Sequence, residues 1–248
     1  MKKKAILVAQ PKPESEKSPY FELAQKYNLD IDFHPFFHME GVSAKEFRQE
    51  RINILDYTGV IITSRHSIDH YFRLCQELRI EVPESMKYFC TSEAIAYYIQ
   101  KYIQYRKRKV FHGQSSIKDL SSVLKKHKDE KFLLPCSNVH NKEVDELLNK
   151  EMVTYKKALF YRAVVSDLSH LKAITHDILV FFSPADVKSL VKNFPKFKQR
   201  NTIIAAFGTT TTKAVLQAGF KLTINAPTPE FPSMTMAIGD YLHKAKKK

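Results

Sequence analysis

The stretch TIIAAFGTTTTKAVLQAGF, residues 202–220, runs from an apolar segment through one glycine and four threonines into a helical pattern. TIIAAF is apolar at consecutive positions, which suits a strand buried on both faces of a parallel sheet. Threonine is a poor helix former, yet Thr209 to Thr212 stand where the helix must begin. A strand that passes directly into a helix start is half of a βαβ unit. Repetition of that unit along a chain predicts an α/β fold with right-handed crossovers.

The unit does repeat. Strand candidates fall at 5–9, 31–36, 59–63, 87–91, 109–111, 131–135, 157–164, 178–182, 202–207 and 221–225. Helical patterns lie between them, at 20–27, 67–78, 93–102, 117–125, 142–148, 185–193, 210–218 and 234–243. The chain also rhymes with itself. DYTGVIITSRHSIDHYFRLC (56–75) and THDILVFFSPADVKSLVKNF (175–194) share an acidic residue, an apolar strand, a serine (Ser64, Ser183) and a helix. Each is followed by a second strand–turn–helix unit. A further rhyme pairs the segment starting KAILVAQPK with the one starting EKFLLPCSN. The order a-b-a-b implies two similar α/β domains of roughly 100 residues each. It does not say which a-unit joins which b-unit.

The 248 residues suffice for two small cores, and the 44% apolar content is that of a globular chain. No apolar run approaches a bilayer span. The basic start MKKKAILVAQPKP breaks at Gln10 and Pro11, too early for a signal-peptide core, so a cytoplasmic protein is expected. Cys75, Cys90 and Cys136 are far apart without a CxxC, which predicts free buried thiols and neither a disulfide framework nor a zinc site. The formal net charge of +14 makes an anionic partner plausible. Part of it is local, in YRKRK (105–109) and HKAKKK at the C-terminus, runs that read as solvated faces.

Phosphate-loop, dinucleotide and nucleophile-elbow motifs are absent. His66 and His70 stand at i, i+4 without the glutamate of HExxH, and read as a helix-surface pair. His34 and His38 share the spacing in a proline-containing segment. What remains is a geometry: a buried strand ends, small hydroxyl residues follow, and a helix starts. That carboxyl edge is where open α/β sheets bind ligands. Helix starts carry unpaired N–H groups and partial positive charge, suited to carboxylates and phosphates. Ser64, Ser183 and the threonines can either cap their helices or face a ligand.

These segments, in their order, resemble the uroporphyrinogen-III synthase family. FxSPxxV (181–187), GTTTxxAxxxxG (208–219) and APTPE (226–230) match the family's C-terminal half, and LFYRAV (159–164) its preceding element. In the first half IITSRHSI (61–68) and LLPCSN (133–138) match as well, so the resemblance covers nearly the whole chain. It implies two flavodoxin-like parallel-sheet α/β domains joined by a two-stranded β-connection, with domain 1 at about 1–38 plus 163–248 and domain 2 at 39–162.

The resemblance also implies an activity: cyclisation of hydroxymethylbilane, a linear tetrapyrrole octa-carboxylate, to uroporphyrinogen III. Ring D is inverted and water is lost, with no metal and no cofactor. A monomer is expected, with no nucleic-acid and no membrane partner. Matched residue by residue, Tyr161 would be catalytic, donating to the departing hydroxyl. Ser64, Ser183, Gly208, Thr209, Thr210 and Thr211 would bind substrate carboxylates. The chain departs from the family pattern at three kinds of position. Ser92 stands at the glycine and Ile95 at the threonine of the first-half turn, Thr209 replaces a proline, and Cys136 stands where many members have arginine. The alternative is a non-catalytic α/β module that binds a polyanion.

Overall fold

A computed structural model describes residues 3–139 and 142–246. Met1, Lys2, Lys247 and Lys248, which belong to the two basic terminal runs, lie outside the described residues, as do His140 and Asn141. From the N-terminus the elements are β1 (Lys4–Val8), α1 (Pro19–Tyr27), β2 (Leu29–Phe33), β3 (Phe37–Gly41), α2 (Ala44–Gln49), β4 (Gly59–Ile62), α3 (Arg65–Glu77), β5 (Lys87–Cys90), α4 (Glu93–Tyr98) and β6 (Val110–His112). There follow α5 (Ser121–Lys126), β7 (Phe132–Ser137), α6 (Lys142–Lys150), β8 (Tyr155–Val165), β9 (Ile178–Phe181), α7 (Pro184–Asn193), β10 (Ile203–Phe207), α8 (Thr209–Gln217), β11 (Leu222–Ala226) and α9 (Met234–Lys246).

The chain forms two compact units. One joins the segment ending at His38 to the segment beginning at Val164, and the other runs Met39–Ala163. The chain therefore passes between units twice, once within β3 and once within β8.

In the unit of both chain ends the sheet order is β11-β10-β9-β1-β2. Its pairings are parallel throughout. Numbered along this unit the order is the flavodoxin-like 2-1-3-4-5. The sheet of the central unit runs β3-β8-β7-β4-β5-β6. There β7 and β8 stand where β1 and β2 stand in the other unit, and β4, β5 and β6 stand where β9, β10 and β11 do. The spatial order is thus the same, but the chain enters the central unit at its third strand. This assigns the sequence rhyme: KAILV matches FLLPCS in place, and GVII matches ILVF.

Consecutive apolar residues supply both faces of each sheet. In β1, Ile6 and Val8 enter one core while Leu7 enters the opposite one. In β4, Val60 and Ile62 face one side and Ile61 the other. All six are at most 1% exposed. This is the pattern of strands covered by helices on both faces.

Some local expectations shift. The strand expected at 31–36 is β2 at Leu29–Phe33, ending before Pro35, which has no N–H for a ladder. Strand β3 and helix α2 were not anticipated. β3 has no buried residue and α2 buries only Phe47, so neither leaves a long apolar signal. The helix expected at 93–102 is α4 followed by a 3-10 turn at Ile99–Lys101, within a run of aromatic and β-branched residues that favour helix weakly. The one expected at 117–125 opens as a 3-10 turn at Ile117–Leu120 before α5.

Candidate functional site

In each unit two neighbouring strands deliver two helix starts at one level. β4 and β5 pair Ile62 with Cys90, so Ser64 and Ser92, two residues beyond, stand side by side at the carboxyl edge. β9 and β10 pair Phe181 with Ala206, which does the same for Ser183 and Gly208. Ser64, Ser92 and Ser183 all cap their own helices, their hydroxyls accepting from the N–H of Ser67, Ile95 and Asp186. Such a bond occupies one of the orphan donors of a helix start.

Gly208 differs from the other three. It opens α8 at φ +86° and carries no side chain to cap it. The first helical bond runs from Thr212 N to Gly208 O at 3.0 Å. The N–H groups of Thr209, Thr210 and Thr211 therefore have no intrahelical acceptor. Thr209 and Thr210 are exposed, whereas Thr211 is 1% exposed and its hydroxyl has no partner among the described residues. Thr212 donates to Asn225 Oδ1 at 3.1 Å. The four threonines thus divide: two face solvent, one is buried, and one is tied to β11. Beside them Asp186 closes the start of α7, its Oδ2 accepting from Phe182 N at 2.9 Å and Ser183 N at 2.8 Å. Its Oδ1 is buried without a partner, and burial raises the carboxyl above the ordinary aspartate value.

The central unit carries a different constellation. Adjacent residues of a regular strand point to opposite faces, yet Phe160 and Tyr161 enter the same core cluster. The cause is a register shift in the β7–β8 ladder, where Cys136 faces Leu159 but Ser137 faces Tyr161. The extra residue of the bulge turns the tyrosine. Its Oη lies 3.2 Å from Ser64 Oγ and 3.1 Å from Ser67 Oγ, and the two serine hydroxyls are 3.0 Å apart. Thr63 Oγ1 stands 3.4 Å from Ser67 Oγ. Three hydroxyls in mutual contact can pass one donor each around the triangle. If the phenol proton leaves, both serines can turn their O–H to the phenolate, and the positive start of α3 adds to them.

This cluster lines a cleft of about 410 Å³ bounded by Ser64, His66, Thr91, Cys136, Ser137 and Tyr161 among others. These residues stand at the ends of β4, β5, β7 and β8. The strand order reverses between β4 and β7, where α/β sheets hold their ligands. The described residues lining the cleft include six serine or threonine hydroxyl groups besides the phenol, one histidine and one glutamate, but no lysine or arginine. The polar groups of this lining are thus mostly hydroxyls. The YRKRK run is elsewhere: it precedes β6 at the amino edge of the sheet, where Arg106 pairs with Glu84 at 3.1 Å and Lys109 bonds the Glu84 carbonyl.

Three residues stand differently from the sequence expectation. Ser67 was not anticipated, although its place three residues after the capping Ser64 puts it on the inner side of the first turn. His66 is exposed, but His70 is more than a surface residue, since its ring stacks on Tyr161 with centroids 4.9 Å apart and planes 12° apart. Cys136 is only partly buried and lines the cleft, while Cys75 and Cys90 are buried; all three are free thiols. Burial raises the Cys136 thiol above its ordinary value.

Departures from the family pattern gain a physical meaning here. Ile95 and Thr211 are both three residues beyond their strand-end residue, Ser92 and Gly208. At α4 the Ser92 hydroxyl takes the Ile95 N–H at 3.4 Å, so that helix start is closed as well as lacking a threonine. At α8 the equivalent N–H is open.

No described helix is long and apolar enough to cross a membrane. The family model for uroporphyrinogen-III synthase HemD matches residues 18–236. Among solved structures, the uroporphyrinogen-III synthetase of Helicobacter pylori is 14% identical and superposes with a TM-score of 0.63, covering 97% of this chain and 99% of that one. A mutant uroporphyrinogen III synthase of Thermus thermophilus is 14% identical, with a TM-score of 0.58 over 98% of this chain and 99% of that one. At such identity these two likenesses concern the fold. Compared by sequence with curated proteins, the chain has no match. With the family model spanning nearly the whole chain and the fold agreeing, this protein belongs to the uroporphyrinogen-III synthase family.

Proposed function

We propose that this chain is a working uroporphyrinogen-III synthase, a cyclising lyase that converts hydroxymethylbilane to uroporphyrinogen III and water. The observation that carries this, beyond family membership, is the Tyr161–Ser64–Ser67 hydroxyl triangle in a cleft at the point where the strand order reverses. Tyr161 donates its proton to the hydroxyl on ring A, which departs as water. The cation so formed is attacked by ring D through a spiro intermediate, and the ring closes with ring D inverted. The proton finally lost from carbon returns to the phenolate, so the enzyme is regenerated without a metal or cofactor.

Ser64 and Ser67 stabilise the phenolate between these two steps by donating to it. Ser64 and Ser183, through backbone N–H groups near them, and Gly208 with the start of α8 hold substrate carboxylates, with Thr209 and Thr210 offering hydroxyls and Thr211 its N–H. The overall positive charge draws in the polyanion at long range, while N–H and O–H donors fix it at short range. Constraint on the bound conformation selects the inverted isomer, since the free substrate closes to the other.

The decisive experiment supplies enzymatically made hydroxymethylbilane and separates the product isomers. Type III product is expected, and type I product alone would remove the proposal. We further propose that the protein acts as a monomer in the cytoplasm without a nucleic-acid partner. Sedimentation at a single monomer mass, and oligonucleotide binding too weak to detect at physiological salt, are the expected results.

A further inference from the structure

Helix α3 carries a stripe that the proposed chemistry does not use: His66, His70, Arg73 and Glu77, spaced to share one face. The ring of His70 lies flat on the ring of Tyr161, with 4.9 Å between centroids and 12° between planes. Arg73 Nε donates to His70 Nδ1 at 3.3 Å. A guanidinium has no acceptor, so Nδ1 is the unprotonated nitrogen and the ring is neutral with its proton on Nε2. Arg73 is itself held from three sides. It pairs with Glu77, donates to the carbonyl of Val42 at 2.7 Å, and fills the space beside Gly41, where an added Cβ would come within 2.6 Å of the guanidinium.

We infer that His70 is a positioning residue for Tyr161, its neutral ring serving as a fixed plate that keeps the phenol oxygen against Ser64 and Ser67. This rests on Tyr161 as the proton donor. Rotation about the Cα–Cβ bond swings the phenol oxygen at the far end of the side chain, and a shift of that oxygen by about 1 Å breaks hydrogen bonds made at such distances. The bulge in β8 aims Tyr161, and the stacked imidazole braces one flat face of its ring. The charged and titratable groups facing His70 are Arg73, His66 and Asp69 on its own helix and the phenol of Tyr161 from β8. Burial, then Arg73 and His66, hold the imidazole below its ordinary value, against Asp69. Protonation would also cost the Arg73 bond and set two cations side by side.

The test measures kcat and KM for His70→Phe, His70→Ala and His70→Asn, and for His70→Ala combined with Tyr161→Phe. Phenylalanine keeps the plate and should hold kcat within about threefold of the parent. Alanine and asparagine remove it and should lower kcat about tenfold at a KM within about twofold, part of the range for a general acid. On a Tyr161→Phe background the alanine change should add nothing, since no hydroxyl remains to place. Full turnover in both His70→Ala and His70→Asn, beside an impaired Tyr161→Phe, would overturn this inference alone. So would a His70→Phe as slow as His70→Ala, or losses that multiply in the double variant. Full turnover in Tyr161→Phe would overturn both this inference and the assignment of Tyr161.

Discussion

Ser67 Oγ lies 3.1 Å from Tyr161 Oη and is wholly buried, although the two residues are 94 positions apart in the chain. The hydroxyl can serve the phenol without competing for substrate. Ser67→Ala should therefore lower kcat by about tenfold to a hundredfold, at or below the effect of removing one oxyanion donor, with KM little changed. Denaturant unfolding should show a loss of only about 1 kcal/mol, the net worth of a typical internal hydrogen bond. A loss of stability without a loss of kcat would make Ser67 a purely structural residue.

Tyr161→Phe keeps the ring and its stack on His70 but deletes the donor. Turnover should fall by roughly one to two decades, in the range of general acid catalysis. Ser64 and Ser67 retain each other as partners at 3.0 Å, so the thermal midpoint should stay close to that of the parent. Kinetics and a melting curve on the same preparation separate these effects.

Thr211→Val tests which part of Thr211 matters. The hydroxyl is buried without a partner, while the N–H at the third position of α8 is open. Valine has nearly the same shape and keeps the N–H. Stability should be unchanged or higher by about 1 kcal/mol, because an unsatisfied polar group is removed. KM should remain within about twofold, and a tenfold rise would show that the hydroxyl itself meets the substrate.

Gly208→Ala should cost about 1–3 kcal/mol in denaturant unfolding, because φ is +86° there, a region that residues with a Cβ avoid. An added Cβ would meet nothing within 4 Å, so the penalty is one of backbone conformation alone. Relief of that strain would tilt the start of α8, and a severalfold rise in KM is expected alongside. An unchanged unfolding midpoint would show that the turn adopts its shape without help from glycine.

Asp186 gives a pH-dependent prediction. Burial raises its folded value above the ordinary one, so the folded chain binds the proton more tightly than the unfolded chain. Its contribution to stability is complete below the unfolded value and is lost as pH rises through the folded value. Asp186→Asn cannot titrate. The stability of the parent relative to this variant should be level in acid, then fall through that window and level off above it. Unfolding curves measured across the acid range test this, and a difference that does not vary with pH would contradict it.

Much of the fold was legible in the chain itself. Runs such as AILV, GVII and ILVF are apolar at every position because their strands are covered on both faces. The helix starts were legible too, since Ser64, Ser92 and Ser183 are good caps placed just after strand ends. Strand β3 and helix α2 were not, because they bury almost nothing and so leave no pattern. The order of strands in each sheet was open as well, since a-b-a-b is equally compatible with pairing either a-unit with either b-unit.

For the site, the amino-acid sequence by itself determined which residue types stand at the strand ends: hydroxyls, one glycine and a tyrosine in a family motif. Tertiary structure alone decided what they do. Ser183 and Ser92 close helices, because a serine at that position meets its own backbone first. Gly208 leaves α8 open, because it has no side chain with which to close it. Thr211 is turned inward by the helical period, while Thr209 and Thr210 are turned out. Tyr161 meets Ser67 and His70 only because a bulge of one residue in β8 rotates it toward α3. Nothing local in LFYRAV encodes that bulge. It arises from the register of β8 against β7, a relationship between two strands and not a property of either alone.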